Sequence, residues 1–502
     1  MAASAAALST QAALGKSLGG GKPAKRPNVI YVFADQLRYS SCGFAGDPQA
    51  RTPHMDQMAR DGASFLNCIS NTPVCCAYRS QLFTGKHTSS TGMAVNELRI
   101  NPNHRCLGHV VSEAGYKTSY IGKWHLWANR HTHGRVYNSY MPPHKRHYRL
   151  GWDGQWLSSN FNHQSFHGYY VDDEPFKTMI PGYEPDWQTD RAIDYIKDNA
   201  NGDKPFYLTL SYGPPHDPWT RNNVTKEALE PFLDERFPLP ETWSDTPDPY
   251  MDRNTDPERW ISYWKKNLED FKRVYYAQTA NLDWNLGRLV QALNDAGIED
   301  DTILIFTSDH GEQLGANARV FKMIFYEESA RLPFLIKWPK KIRKGLEMEG
   351  VFGTPDHAPT ILSLMGLDTP EEMEGIDLSP GLLGKKEVRQ DAVLMQGMGH
   401  TYRWMDGFEW RAARSERFTY ARYRRDGSEL LFDNEADPQQ AENLINDKGY
   451  RKRRNNLKEW MSEKMKSLND EFMACSEHEK AWTNGDRVII RSANHDWSDQ
   501  PL

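Results

Sequence analysis

Six cysteines in 502 residues are too few to build a disulfide scaffold. No stretch approaches the roughly 18 apolar residues that a membrane span needs, and mean hydropathy is −0.75. No membrane span is therefore expected. Basic charge is also in short supply: 61 Lys and Arg face 67 Asp and Glu, a net charge of −6. A protein that coats nucleic acid has the opposite balance, so nucleic acid is not an expected partner. Any anionic ligand must be met by a local patch. Apolar residues make up 38% and charged residues 25%, which suits a globular core. The length fits one large α/β domain with an appendage, or two to three domains.

Residues 1–25 do not read as fold. They are Ala-rich and then Gly/Lys/Pro-rich, either the remnant of an export signal or a linker-like tail. The first reading makes the protein periplasmic or secreted. Residues 28–34 form a β-branched and aromatic run, as a strand buried on both faces does in a parallel sheet. Similar runs recur at 118–121, 206–210, 302–307 and 333–337. Helical patterns lie between them. Thr52-Pro53 starts one and Gly62 stops it, and Leu282, Leu286, Leu289, Val290 and Leu293 mark the apolar face of another. Strands alternating with helices predict an α/β fold with a large, mostly parallel sheet flanked by helices. Residues 236–262 read as a surface insertion. Past residue 385 short alternating segments and a basic helix near 451–468 predict a smaller α+β region with an antiparallel sheet. The expected division is thus 1–25, a catalytic domain at 26–385, and a C-terminal subdomain at 386–502.

Chemistry collects where the strands end. The first runs into Asp35-Gln36, the second into Lys123-Trp124-His125, the third into Pro215-His216 and the fourth into Asp309-His310-Gly311-Glu312. Ligands bind outside the carboxyl ends of strands in open α/β sheets. Asp35, Gln36, Asp309 and His310 form an oxygen-dominated set that suits Ca²⁺ or Mg²⁺ better than zinc. Cys75-Cys76-Ala77-Tyr78-Arg79 opens a short helix that Gly85 ends. A thiol there is either an activated nucleophile beside a metal or one of two buried structural thiols. These residues alone point to a hydrolase of an anionic, oxygen-rich group.

With Leu82-Phe83-Thr84-Gly85-Lys86, the Cys75 to Arg79 segment resembles the signature of the type I sulfatases, in the alkaline phosphatase superfamily. Segments at 27–36, 122–125, 215–216 and 307–315, then Lys322, 326–333, 359–360, 410–411 and 431–438, match the family in order. The resemblance covers roughly residues 26–465. It implies an alkaline phosphatase-like fold and oxidation of Cys75 to Cα-formylglycine by a maturase. The hydrated aldehyde would attack sulfur, with Cys75 then also beside the metal. It implies Ca²⁺ held by Asp35, Gln36, Asp309 and His310. Arg79 and Lys123 would hold the diol and sulfate oxygens, His125 would take a proton, and His216 and Lys322 would bind sulfate and assist the departing oxygen. Gln36 and His310 stand where many members have Asp and Asn. Ala77 stands where Pro is commoner, which points to a maturase that accepts Ala.

Residues 130–149 hold nine Arg, Lys or His and no acid. Tyr137, Tyr140, Tyr148, Trp152 and Trp156 lie among them or close behind. Lys145, Arg146, His147 and Arg149 are therefore candidates for binding a sulfated glycan, the alternative being a solvated basic loop. The expected activity is removal of sulfate from a sulfated carbohydrate. An aryl sulfatase, a phosphonate or phosphate ester hydrolase, and a non-catalytic sulfated-glycan binder are the other readings.

Overall fold

A computed structural model describes residues 26–502 apart from 97, 129–140, 161, 175, 252–255, 401–402 and 485–486. The expected export remnant at 1–25 lies outside the described residues, as does the 130–140 part of the basic segment with Tyr137 and Tyr140. The strands in chain order are β1 Asn28–Asp35, β2 Ala63–Ile69, β3 Lys117–Lys123, β4 Gln155–Ser159, β5 Tyr169–Tyr170, β6 Thr178–Met179, β7 Phe206–Pro215, β8 Thr302–Ser308, β9 Arg331–Leu332, β10 Phe334–Lys337, β11 Leu346–Gly353, β12 Val393–Gly397, β13 Trp410–Arg414, β14 Phe418–Tyr423 and β15 Glu429–Asp433.

A nine-stranded sheet runs in the order β11-β2-β10-β8-β1-β7-β3-β4, with β9 paired to β2. From β8 to β4 each neighbour is parallel. β10 runs antiparallel to both β8 and β2. The expected mostly parallel sheet is present, with the 333–337 run reversed. An apolar run fixes burial but not direction.

Period-two alternation builds two cores from one strand. Val29, Tyr31 and Phe33 face the cluster that includes Ala77, Leu82 and Phe83 of the helix Cys75–Thr84. Ile30, Val32 and Ala34 face Leu282, Leu286, Leu289 and Leu293 of the helix Pro257–Asp295. That helix has 39 residues, so the expected insertion ends where it starts. Its first half carries Trp260, Trp264 and Leu268 at helical spacing, which pack in a separate cluster with Trp219, Phe232 and Phe237. The strands the sequence did not announce, β2, β4 and β11, interleave polar residues such as Asn67, Gln155, Glu347 and Glu349.

The second sheet is antiparallel in the order β12-β13-β14-β15. Leu394, Ala413, Tyr420 and Leu431 face Leu457 and Met461 of the helix Arg451–Ser467. Their neighbours Met395, Ala412, Ala421 and Phe432 face Ile69, Phe325 and Val351 of the first domain. Beyond this helix the chain returns to the first domain. Ile489 N donates to Arg99 O at 2.9 Å and Ala493 N to Ser89 O at 2.8 Å. Among the described residues no helix is long and apolar enough to cross a membrane.

At the end of β3, Gly122 has φ +106°, and a Cβ there would lie 1.9 Å from Ser211 O on β7. A Gly122→Ala substitution is expected to cost about 1–3 kcal/mol in backbone strain alone, before the clash is relieved. Chemical denaturation checks this; an unchanged midpoint would show that β3 and β7 can separate without cost.

Candidate active site

The parallel register brings the chemistry to one edge. Ala34 lies opposite Ser308, and Gly122 lies opposite Ser211. A register shift between Phe33 and Asp35 sets Asp35 against Pro215. Asp35, Lys123, His216 and Asp309 therefore leave adjacent strand ends together. Gln36 and His125 follow in left-handed backbone, φ 73° and 53°, which turns the chain sharply at the edge.

Asp35, Cys75, Asp309 and His310 offer ligand atoms that all lie within 4.8 Å of one another, and all four residues are buried. Cys75 Sγ is 3.2 Å from His310 Nε2 and 3.6 Å from Asp35 Oδ1. Cys76 turns the other way, its thiol 3.0 Å from Val95 O. Among the described residues this is the one group of His, Cys, Asp and Glu able to hold a metal. His310 Nδ1 lies 3.0 Å from Gly311 O. With its proton there, Nε2 presents a lone pair to the cluster. Burial pushes the His310 imidazole down to about 4, so it stays neutral as a ligand must. Burial and then the charge of Asp35 push the Asp309 carboxyl up to about 7. Asp35 resists the same burial because Lys123, with His216 and Lys322 behind it, holds its carboxyl well below the usual range. Two carboxylates this close repel unless a cation lies between them. Two carboxylates, an imidazole and a thiol in one buried group can together hold a divalent metal.

Cationic side chains surround the pair. Arg79 Nη2 is 3.2 Å from Asp35 and 3.3 Å from Asp309. Its Nη1 donates to Ser211 Oγ at 2.7 Å and to Lys123 O. Lys123 Nζ is 2.6 Å from Asp35 Oδ2. Lys322 Nζ lies 2.7 Å from His216 Nε2 and 2.5 Å from Gln36 Oε1. Burial would lower the Lys322 ammonium, but Cys75, Asp35 and Asp217 hold it above its ordinary value. The expected ligand Gln36 here spans two other groups: its Nε2 donates to Glu312 at 2.6 Å while its oxygen meets Lys322. Lys322 supplies the positive charge that oxygen faces. Burial, with Lys123 and Arg79 next, drives the His125 imidazole well below its usual range and leaves it neutral.

The second sheet supports the Lys322 loop. Trp410 Nε1 donates to Met323 O at 2.9 Å, and Arg414 pairs with buried Glu327 at 2.8 Å. Phe321 and Met323, on either side of Lys322, both have positive φ.

The basic segment departs from expectation. Lys145 is half-buried, and Arg146 and His147 are exposed on the turn Pro143–Arg149. Arg149, expected to meet substrate, is fully buried. Its guanidinium lies over Trp156 at 5.1 Å and bonds Asp173 at 2.7 Å, while Arg146 takes the other Asp173 oxygen at 2.6 Å. Tyr148, Trp152 and Trp156 are core residues. They do not offer a stacking face, because composition cannot separate an aromatic platform from an aromatic core. Two site residues were not anticipated. His163 sits in a polar loop without a motif, stacked on His216. Ser211 lies in a strand run and meets Arg79 only through the β1/β7/β3 register.

The family profile described as Sulfatase matches residues 27–367, and the one described as N-sulphoglucosamine sulphohydrolase, C-terminal, matches 317–467. An ulvan-active sulfatase of Formosa agariphila is 31% identical over 450 residues, covering 89% of this chain and 82% of that one. An N-acetylglucosamine-6-O-sulfatase of Bacteroides thetaiotaomicron is 26% identical over 93% of this chain and 91% of its own. A solved Bacteroides thetaiotaomicron structure, from work on metabolism of multiple glycosaminoglycans, has 26% identity and a TM-score of 0.75 over 91% of this chain and 98% of that one.

If the cluster binds a cation, adding Ca²⁺ to chelator-treated protein should raise its melting temperature. At 100 times Kd the gain is about 2.7 kcal/mol. Asp309→Ala should remove most of that gain. A Ca²⁺ response undiminished in Asp309→Ala would place the cation elsewhere.

Proposed function

The chain belongs to the sulfatase family, and on that premise we propose that it hydrolyses sulfate esters of a sulfated glycan at the Asp35/Cys75/Asp309/His310 edge. The observation that carries the reading is the position of Cys75. It opens a buried helix, and its side chain faces a metal-type cluster ringed by Arg79, Lys123 and Lys322. Cys75 at this place suits conversion to formylglycine by a maturase, and Ca²⁺ suits the donor set. When present, the aldehyde would supply the hydrated nucleophile and the cation the charge that polarises sulfate.

The chain's own side chains account for the remaining work. Arg79 is held at both ends of its guanidinium, by the two carboxylates and by Ser211. That fixes a donor array beside the nucleophile before substrate arrives. Lys123 adds a second fixed cation on Asp35. A sulfate group entering here meets positive charge in a site that water screens poorly. Neutral His125, next along the same strand end, can accept a proton from the nucleophilic residue. As the S–O bond breaks, its electrons pass to the departing oxygen, which takes a proton from the Lys322–His216 pair. Sulfate esters of sugars need that proton because an alkoxide is a poor leaving group. The glycan part of the proposal draws on the ulvan-active and N-acetylglucosamine-6-O relatives. Export to the periplasm or beyond accords with a polysaccharide substrate.

Cys75→Ala should abolish turnover with little loss of stability, whereas Cys76→Ala should keep most activity. Mass spectrometry should find the aldehyde at Cys75 after co-expression with a maturase that accepts Ala at the third motif position. An aldehyde at Cys76, or full activity in Cys75→Ala, would overturn the nucleophile assignment. Sulfate release from ulvan oligosaccharides and glycosaminoglycan disaccharides tests the substrate class; turnover of aryl sulfates alone would remove the glycan proposal.

Replacing Lys322 with Ala should reduce sugar-sulfate turnover by on the order of 10²–10⁴-fold. The loss on 4-nitrophenyl sulfate, whose leaving group needs little protonation, should be much smaller. Equal losses would mean that Lys322 only binds sulfate.

A further inference from the structure

His216 is held by its edges. Nε2 lies 2.7 Å from Lys322 Nζ, and Nδ1 lies 2.9 Å from Asp217 O and 3.1 Å from Asp217 Oδ1. All three contacts are made by the ring nitrogens, at the edge of the imidazole. They leave one freedom, a tilt about the line that joins the two nitrogens. The His163 ring removes it. It lies flat on His216 with centroids 3.9 Å apart and planes 4° from parallel.

This stack is built, not incidental. Asn223 Nδ2 donates to His163 O and to Pro218 O, both at 3.1 Å, and its Oδ1 accepts from Ser165 N at 2.7 Å. One buried amide thereby ties the loop that carries His163 to the loop that carries His216. Gln278, on the long helix Pro257–Asp295, donates to Asn223 O at 3.1 Å and anchors the tie to the scaffold. Burial and the nearby Lys123 ammonium keep His163 well below its ordinary range, so two imidazoles can stack without like charge.

We propose that His163 is a positioning residue, which sets the tilt of His216 so that the Lys322–His216 pair meets the departing oxygen. The proposal rests on the reading that this pair serves the leaving group. It assigns a role to a residue outside the motifs of the chain, and it attributes that role to the flat face of the ring and not to its nitrogens.

The test uses the full chain with the aldehyde at Cys75 verified by mass spectrometry. Parent, His163→Ala, His163→Leu and His163→Phe are compared on phenyl sulfate and on 4-nitrophenyl sulfate, which has the better leaving group. Leu keeps volume without a flat face, and Phe keeps the face without nitrogens. With Ala and Leu, kcat on phenyl sulfate should fall about 10-fold or more, a fraction of what losing a positioned acid costs. On 4-nitrophenyl sulfate the fall should be several-fold smaller, with KM nearly constant for both. Phe should recover most of the phenyl sulfate rate. Losses equal on the two esters, no loss, or a Phe variant as poor as Ala would each overturn the proposal. Melting temperatures identify a variant that has only lost its fold. A parent that hydrolyses neither aryl nor sugar sulfates would overturn the sulfatase reading itself, a separate outcome.

Discussion

Two carboxylates, Asp35 and Asp309, sit side by side and fully buried, and the structure around them answers to that fact. Isolated, such a pair would hold protons and be useless as a cation site. Arg79 bridges both, Lys123 meets one, and Lys322 stands behind Gln36. The same three cations that balance the acids also leave positive charge beside the cluster, which the proposed sulfate ester would meet. Binding an anion beside a metal-type cluster requires positive charge that does not come from the metal alone.

The fold supplies this balance with rigid parts. Asp35, Lys123, His216 and Asp309 emerge from mutually hydrogen-bonded strands, so their spacing follows sheet geometry. Arg79 and Cys75 share one helix whose ten residues are all buried. Lys322 is different, for it rides on an irregular loop with positive φ at both flanks. The antiparallel sheet braces that loop through Trp410 and the Arg414–Glu327 pair. The smaller sheet is thus part of how the site is held, although it places none of the cluster's ligands. The stacked His163 and His216, tied by Asn223, extend the same bracing to the loop after β7.

Much was legible in the residues themselves. Apolar β-branched runs ending in Asp35, Lys123, His216 and Asp309 announce a parallel sheet with chemistry along one edge, because strand burial and strand-end function both leave local traces. The Cys75 to Lys86 signature marks the buried helix that carries Cys75 and Arg79 for the same reason: it sets specific residue types at fixed helical spacing. Within the run Lys145, Arg146, His147 and Arg149 only Arg149 is fully buried, and the run itself does not show it, since a charge run looks alike whether it faces solvent or closes on a buried tryptophan. Arg149 lies on Trp156 only because Asp173, 24 residues on, folds back to it. His163 and Ser211 were invisible as partners. Their roles arise from contacts across long separations, through the β1/β7/β3 register and the Asn223 tie. Sequence pattern records what a residue's neighbours along the chain require, whereas the stack on His216 and the pairing of Asp35 with Asp309 depend on which distant segments the folded core brings within a few ångströms.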